Sequence, residues 1–164
     1  MESRFKVFGH GAHPILIVFP LGLLATSVIF DVLCAATHNA QFPVASYWMI
    51  AAGVIGGLVA AVPGFVDWLA IPKDTRAKRI GLYHAIGNDI VLVLFAVSWW
   101  LRRGTPNHEP DTLAFALSVI AVLLALLTGW LGGELVERLG MSVHDGAHLD
   151  APSSLSGRPA REKE

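Results

Sequence analysis

Seven histidines are the residues best suited to chemistry in this chain, and they are not scattered. His10 and His13 stand at the entry to the first apolar run. His84 stands just inside the third, and His144 and His148 follow the fourth. Asp67 closes the second run beside them and Glu134 follows the fourth, whereas only His38 and His108 fall at the opposite end. Asn88 lies one helical turn beyond His84, on the same face. Imidazole is a ligand for haem iron, zinc and copper. A bis-histidine haem needs two histidines at similar depth on different helices with an apolar gap between them, and His13 and His84 meet the depth condition. A zinc site needs a third and a fourth ligand, for which Asp67, Glu134, His10 or His144 are available. Nucleophilic catalysis has no support. There is no GxSxG, and Cys34, the only cysteine, lies at the end away from the histidines. Phosphate-binding Walker and GxGxxG motifs are also missing.

The elements that must position these groups are membrane helices. The chain has 164 residues, of which 54% are hydrophobic and only 15% charged, and its net charge is −1. Ordinary soluble domains run at about 25% charged. The charge balance excludes a basic nucleic-acid binder, and the hydrophobicity excludes a disordered chain. Four apolar stretches reach the roughly 20 residues a helix needs to cross a bilayer. They run over about 14–36, 44–71, 82–101 and 112–131. None alternates as a membrane β-strand would. The first run, at about 23 residues, is too long for a signal-peptide core of about 7–15. Four spans put both termini on one side with ten Lys and Arg, against Arg102 and Arg103 on the other. The positive-inside bias makes that side cytoplasmic. Tyr47, Trp48, Trp99 and Trp100 mark one interface, and Trp68, Tyr83 and Trp130 the other.

Inside the spans, Asp67, His84, Asn88 and Asp89 are expected to face the bundle interior, because ionisable groups in lipid are costly. Pro20 removes the helical donor to the Leu16 carbonyl and Pro63 the donor to that of Val59. Both breaks fall towards the histidine-rich end. Gly53, Gly57 and Ala61 form a small-residue row that allows close helix packing, and a homodimer. Short loops make successive spans antiparallel neighbours in a four-helix bundle. The expected organisation is an all-α transmembrane domain over 1–142 and a polar, flexible tail over 143–164.

The stretch His10-Gly11-Ala12-His13-Pro14-Ile15-Leu16-Ile17-Val18-Phe19-Pro20-Leu21-Gly22-Leu23-Leu24 resembles the HPxHP…HFPIGLL opening of a bacterial membrane-protein family known as domain of unknown function 2231. Val62-Pro63-Gly64-Phe65-Val66-Asp67-Trp68, His84 with Asn88, and Gly129 to Val136 fit the same family, so that the likeness covers about residues 9–150. The chain departs from the pattern at Gly11, where the family has proline, and at Val18, where it has histidine. The resemblance implies a four-span protein of the bacterial inner membrane. It also implies redox work, because the domain accompanies Rieske and cytochrome modules.

Together these readings give a membrane protein that binds b-type haem near its cytoplasmic face and exchanges electrons with a protein partner, rather than a stand-alone enzyme. His84 and His13 are the expected axial ligands, with His10 as substitute, and Asp67 and Asn88 orient an imidazole. The alternatives are a zinc or copper site built from His10, His13, His84 and Asp67, serving transport or sensing, and a cofactor-free subunit that anchors a redox partner.

Overall fold

Residues 1–163 are described by the computed structural model of the chain. Helix α1 (Ala12–Leu16) and helix α2 (Val18–Thr37) make one nearly continuous span, interrupted at Ile17. The interruption follows from Pro20, which has no N–H to offer the Leu16 carbonyl. Helix α3 (Gln41–Ala70) returns across the bundle and carries Pro63 within it. Helix α4 (Arg76–Leu101) starts at Thr75, whose side chain accepts from the Lys78 N–H. Helix α5 (Thr112–Gly133) starts at Asp111, which accepts from the Ala114 N–H, and ends in a π-helical turn over Glu134–Arg138. Both starts are helix caps by a side-chain oxygen. All four long segments are long and apolar enough to cross a membrane. Large apolar side chains such as Val18, Ile55, Val93 and Leu126 point outward, as lipid-facing residues do.

The α2–α3 and α4–α5 hairpins are each tightly packed, and the bundle is the pairing of these two hairpins. Gly53 and Gly57 work inside this bundle. A methyl group on Gly53 would meet Leu24 at 2.7 Å, and one on Gly57 would meet Leu92 at 2.5 Å. The close helix packing that the small-residue row allows is therefore used, at these two glycines, in closing α3 against α2 and α4. The core is apolar at its middle, where Leu24, Ile50, Val91, Phe95 and Ala121 meet.

The two hairpins repeat each other. Pro20, Leu24, Ser27 and Asp31 are buried on α2, and Val91, Phe95, Ser98 and Arg102 are buried 71 residues later on the second hairpin. Ser46, Ile50, Gly53 and Ala60 on α3 match Ala114, Ser118, Ala121 and Thr128 on α5, again at one constant interval. The hairpins run in the same direction, so the bundle has an internal two-fold axis along its length, the parallel-repeat arrangement of some transporters.

At the end away from the termini, Arg102 and Asp31 face each other across that axis, both fully buried. Arg102 Nη1 donates to Asp31 Oδ1 at 2.8 Å and Nη2 to Oδ2 at 2.7 Å. Ser46, Ser98 and Ser118 take the remaining guanidinium donors at 3.0–3.3 Å. Arg102 is thus a core residue and not a loop charge. Tyr47 stacks between His108, at 3.8 Å between ring centroids, and Trp99, at 5.3 Å, and closes this end.

At the other end, the first eleven residues and the tail cover the bundle. Lys6–Val7 pairs with His10–Gly11 as a two-residue antiparallel hairpin. The Met1 amino group donates to the Gly140 carbonyl at 2.9 Å, and His144 Nε2 donates to the Gly9 carbonyl at 2.9 Å. Glu2 binds Lys6 and accepts from the Asp145 N–H, and these two contacts, Lys6 first, hold its carboxyl down at about 2.

Candidate histidine-pair site

His13 and His84 occupy equivalent positions in the two hairpins. Their rings face each other across the internal axis with centroids 6.2 Å apart and planes at 88°. The same local device holds each ring. His13 Nδ1 lies 2.8 Å from the Ala60 carbonyl on α3, and His84 Nδ1 lies 2.8 Å from the Thr128 carbonyl on α5. A carbonyl oxygen only accepts, so both Nδ1 atoms carry the proton, and in the neutral rings both Nε2 atoms are left with a lone pair. This is the tautomer in which histidines bind metals through Nε2, with Nδ1–H anchored to a backbone carbonyl.

A glycine one turn past each carbonyl makes room for the ring. A methyl group on Gly64 would stand 2.8 Å from His13 Nδ1, and one on Gly132 would stand 3.1 Å from His84 Cε1. Neither backbone needs unusual dihedral angles here. What these glycines provide is the close approach of helix backbone to imidazole.

The two halves of the site differ in polarity. Asn88 Nδ2 donates to the His84 carbonyl at 2.8 Å and faces His84 Nε2 at 3.2 Å. The Thr128 hydroxyl donates to Asn88 Oδ1 at 3.0 Å, which fixes the amide with its nitrogen towards the ring. On the other hairpin the positions equivalent to Asn88 and Thr128 are Ile17 and Ala60, so His13 has no side-chain neighbour of this kind.

The other expected site residues lie elsewhere. Asp67 accepts from the Ser3 hydroxyl at 2.7 Å and from the Arg4 N–H at 2.6 Å, and so ties down the N-terminal segment. His10 is exposed on the terminal hairpin, 3.3 Å from the Ser154 hydroxyl. Glu134 pairs with Arg76 at 2.6 Å. Asp89 points out of the bundle and not into it. Among the described residues no three His, Cys, Asp or Glu side chains converge as a metal site.

A donor set of two imidazoles suits a group that brings its own equatorial ligands. Haem supplies four nitrogens and takes two from the protein, whereas zinc takes three or four protein ligands. Metal–imidazole bonds of about 2 Å would put two rings on opposite sides of one metal at centroid distances of about 6 Å. The observed centroid separation matches that distance, and Asn88 Nδ2, 3.2 Å from His84 Nε2, would have to move aside.

Sequence reading missed the internal repeat and with it the pairing of Arg102 with Asp31. The usable signal was the spacing between polar residues: His13 to His84 and Asp31 to Arg102 are both 71 residues apart.

Four membrane-crossing helices enclosing a polar pair define a multi-pass membrane protein of bundle type. Residues 9–145 match the family model described as "Predicted membrane protein (DUF2231)", and the chain belongs to this family. Neither the curated proteins nor the solved structures contain a match to it.

Proposed function

We propose that this protein binds b-type haem between its two helical hairpins, with His13 and His84 as axial ligands, and serves electron transfer in the bacterial inner membrane. One observation carries the reading: two equivalent imidazoles 6.2 Å apart, each held through Nδ1 by a backbone carbonyl of its own hairpin. Haem would supply one-electron redox chemistry there. The chain's own part is to hold two imidazoles close together with Nδ1 anchored and Nε2 carrying the lone pair, to exclude water with apolar helices and to set donor strength. Hydrogen bonding of Nδ1–H to a carbonyl raises the basicity of Nε2, and a hydrophobic shell tunes the potential. The positive-inside bias supports a site near the cytoplasmic face, where a soluble or membrane-bound redox partner would reach it. The Asn88 contact favours a second reading, a cofactor-free subunit that anchors such a partner, because it already satisfies His84 Nε2.

The test is an absorption spectrum of the detergent-purified protein, oxidised and then dithionite-reduced, from cells supplied with a haem precursor. A sharp Soret band with resolved α and β bands on reduction is expected, lost in His84→Ala and in His13→Ala. A colourless protein with full helical content would overturn the haem reading and leave the anchoring subunit, and metal analysis of that sample would reveal any bare ion.

A further inference from the structure

Every polar atom of the Asn88 side chain is engaged with His84 or with the residue that holds His84. Its Nδ2 carries two hydrogens. One goes to the His84 carbonyl at 2.8 Å, and the other faces His84 Nε2 at 3.2 Å. Its Oδ1 accepts from the Thr128 hydroxyl at 3.0 Å. The Thr128 carbonyl in turn takes His84 Nδ1 at 2.8 Å. One residue of α5 therefore holds the ring at both nitrogens, directly at Nδ1 and through Asn88 at Nε2. Thr128 is buried, and its methyl group fills the space beside Gly87, where an added Cβ would clash with it. That packing holds the rotamer that presents the hydroxyl to Asn88. The first hairpin does without all of this. Its equivalents of Gly87, Asn88 and Thr128 are Leu16, Ile17 and Ala60, and His13 is held by a carbonyl alone. Closing a hairpin around its histidine thus needs neither the amide nor the hydroxyl. Polar side chains inside a membrane helix are costly and mark function.

We propose that Asn88 and Thr128 form a latch on His84, which leaves His13 Nε2 as the first lone pair open to an incoming metal centre and frees His84 Nε2 second. The latch has a built-in release. The Thr128 hydroxyl has one hydrogen and two acceptors in range, Asn88 Oδ1 and the Ala125 carbonyl at 3.1 Å. Turned to Ala125, the hydroxyl no longer holds the amide, and the amide is free to leave Nε2. A neutral hydrogen bond is far weaker than metal ligation, so the latch sets an order of binding and does not block the second histidine. The identity of the metal centre as haem rests on the function proposed above, whereas the latch itself is tested without haem.

The experiment is carbethoxylation of the full chain in lipid nanodiscs by diethyl pyrocarbonate, a small uncharged reagent that takes an imidazole lone pair. The protein comes from cells given no haem precursor, and mass spectrometry reads each histidine. His13 and His84 are both half-buried with ring centroids 6.2 Å apart, so each controls for access to the other. His13 is expected to react about tenfold faster than His84. Asn88→Leu brings His84 to within about twofold of His13 and leaves His13 unchanged. Thr128→Val, which exchanges the hydroxyl for a methyl group, moves His84 in the same direction, and Thr128→Ser, which keeps the hydroxyl, preserves the wild-type ratio. Circular dichroism verifies the helices in each variant. Equal rates for the two histidines in the wild type, or an Asn88→Leu that speeds both alike, would overturn the latch. Haemin added to a parallel sample separates the latch from the haem reading. A low-spin spectrum with equal rates keeps haem and removes the latch, and a colourless sample with His84 protected does the reverse.

Discussion

Arg102 is a cation with five donors, placed where water cannot solvate it. Every donor direction is met, two by Asp31 and the rest by three serine hydroxyls. Such a pair contributes less than its Coulomb energy suggests, because both ions were stripped of water. Breaking it from one side is another matter. Asp31→Asn leaves a buried guanidinium uncompensated, and Arg102→Met leaves a buried carboxylate. Each is expected to cost about 3–5 kcal/mol, whereas the double variant Asp31→Leu with Arg102→Met recovers most of that loss. Denaturation in mixed micelles, followed by helicity, measures all three. A double variant no more stable than the singles would contradict this account. The histidines show the opposite economy: His13 has a partner for Nδ1 only, whereas His84 has the Thr128 carbonyl at Nδ1 and the Asn88 amide at Nε2.

The helices carry this arrangement through small residues at fixed places. Gly64 and Gly132 let the α3 and α5 backbones touch the imidazoles, and the approach is tighter at Gly64. Gly64→Ala should therefore displace His13 and weaken or abolish the Soret band of the haem-loaded protein. Gly132→Ala, with a few tenths of an ångström more room, should have the smaller effect. Equal spectra for both variants and the wild type would show that ring placement does not depend on these contacts. The four spans were legible in the sequence because burial in lipid demands nothing subtler than length and hydropathy. The histidine pair was legible too, through its shared depth, and Asn88 through its helical spacing from His84. Asp67 was misplaced as a partner of the histidines. Its carboxyl is used by the backbone of residues that come much earlier in the chain, and no local pattern reveals such a contact. Arg102 looked like a loop charge because it ends an apolar run, where hydropathy has no further say. Asp89 was expected to face inward. A helix apolar on nearly all sides gives no amphipathic stripe from which its rotation can be read.

At the scale of the whole molecule, an even number of crossings puts Met1 and the tail at one end, together with the α3–α4 connection. The excess of Lys and Arg at that end predicts that it faces the cytoplasm. A fluorescent-protein fusion after the last residue should therefore glow, and an alkaline phosphatase fusion at Asn107 should be active. The reverse pattern would invert the proposed position of the histidine pair. The internal two-fold has one further consequence. At the far end the equivalent positions hold an acid in the first hairpin and a base in the second. Two first hairpins brought together would oppose two buried carboxylates, and two second hairpins would oppose two buried guanidinium groups. Only the unlike pairing is neutral at its centre. Where several newly made chains share one patch of membrane, that difference in sign disfavours pairing between like halves.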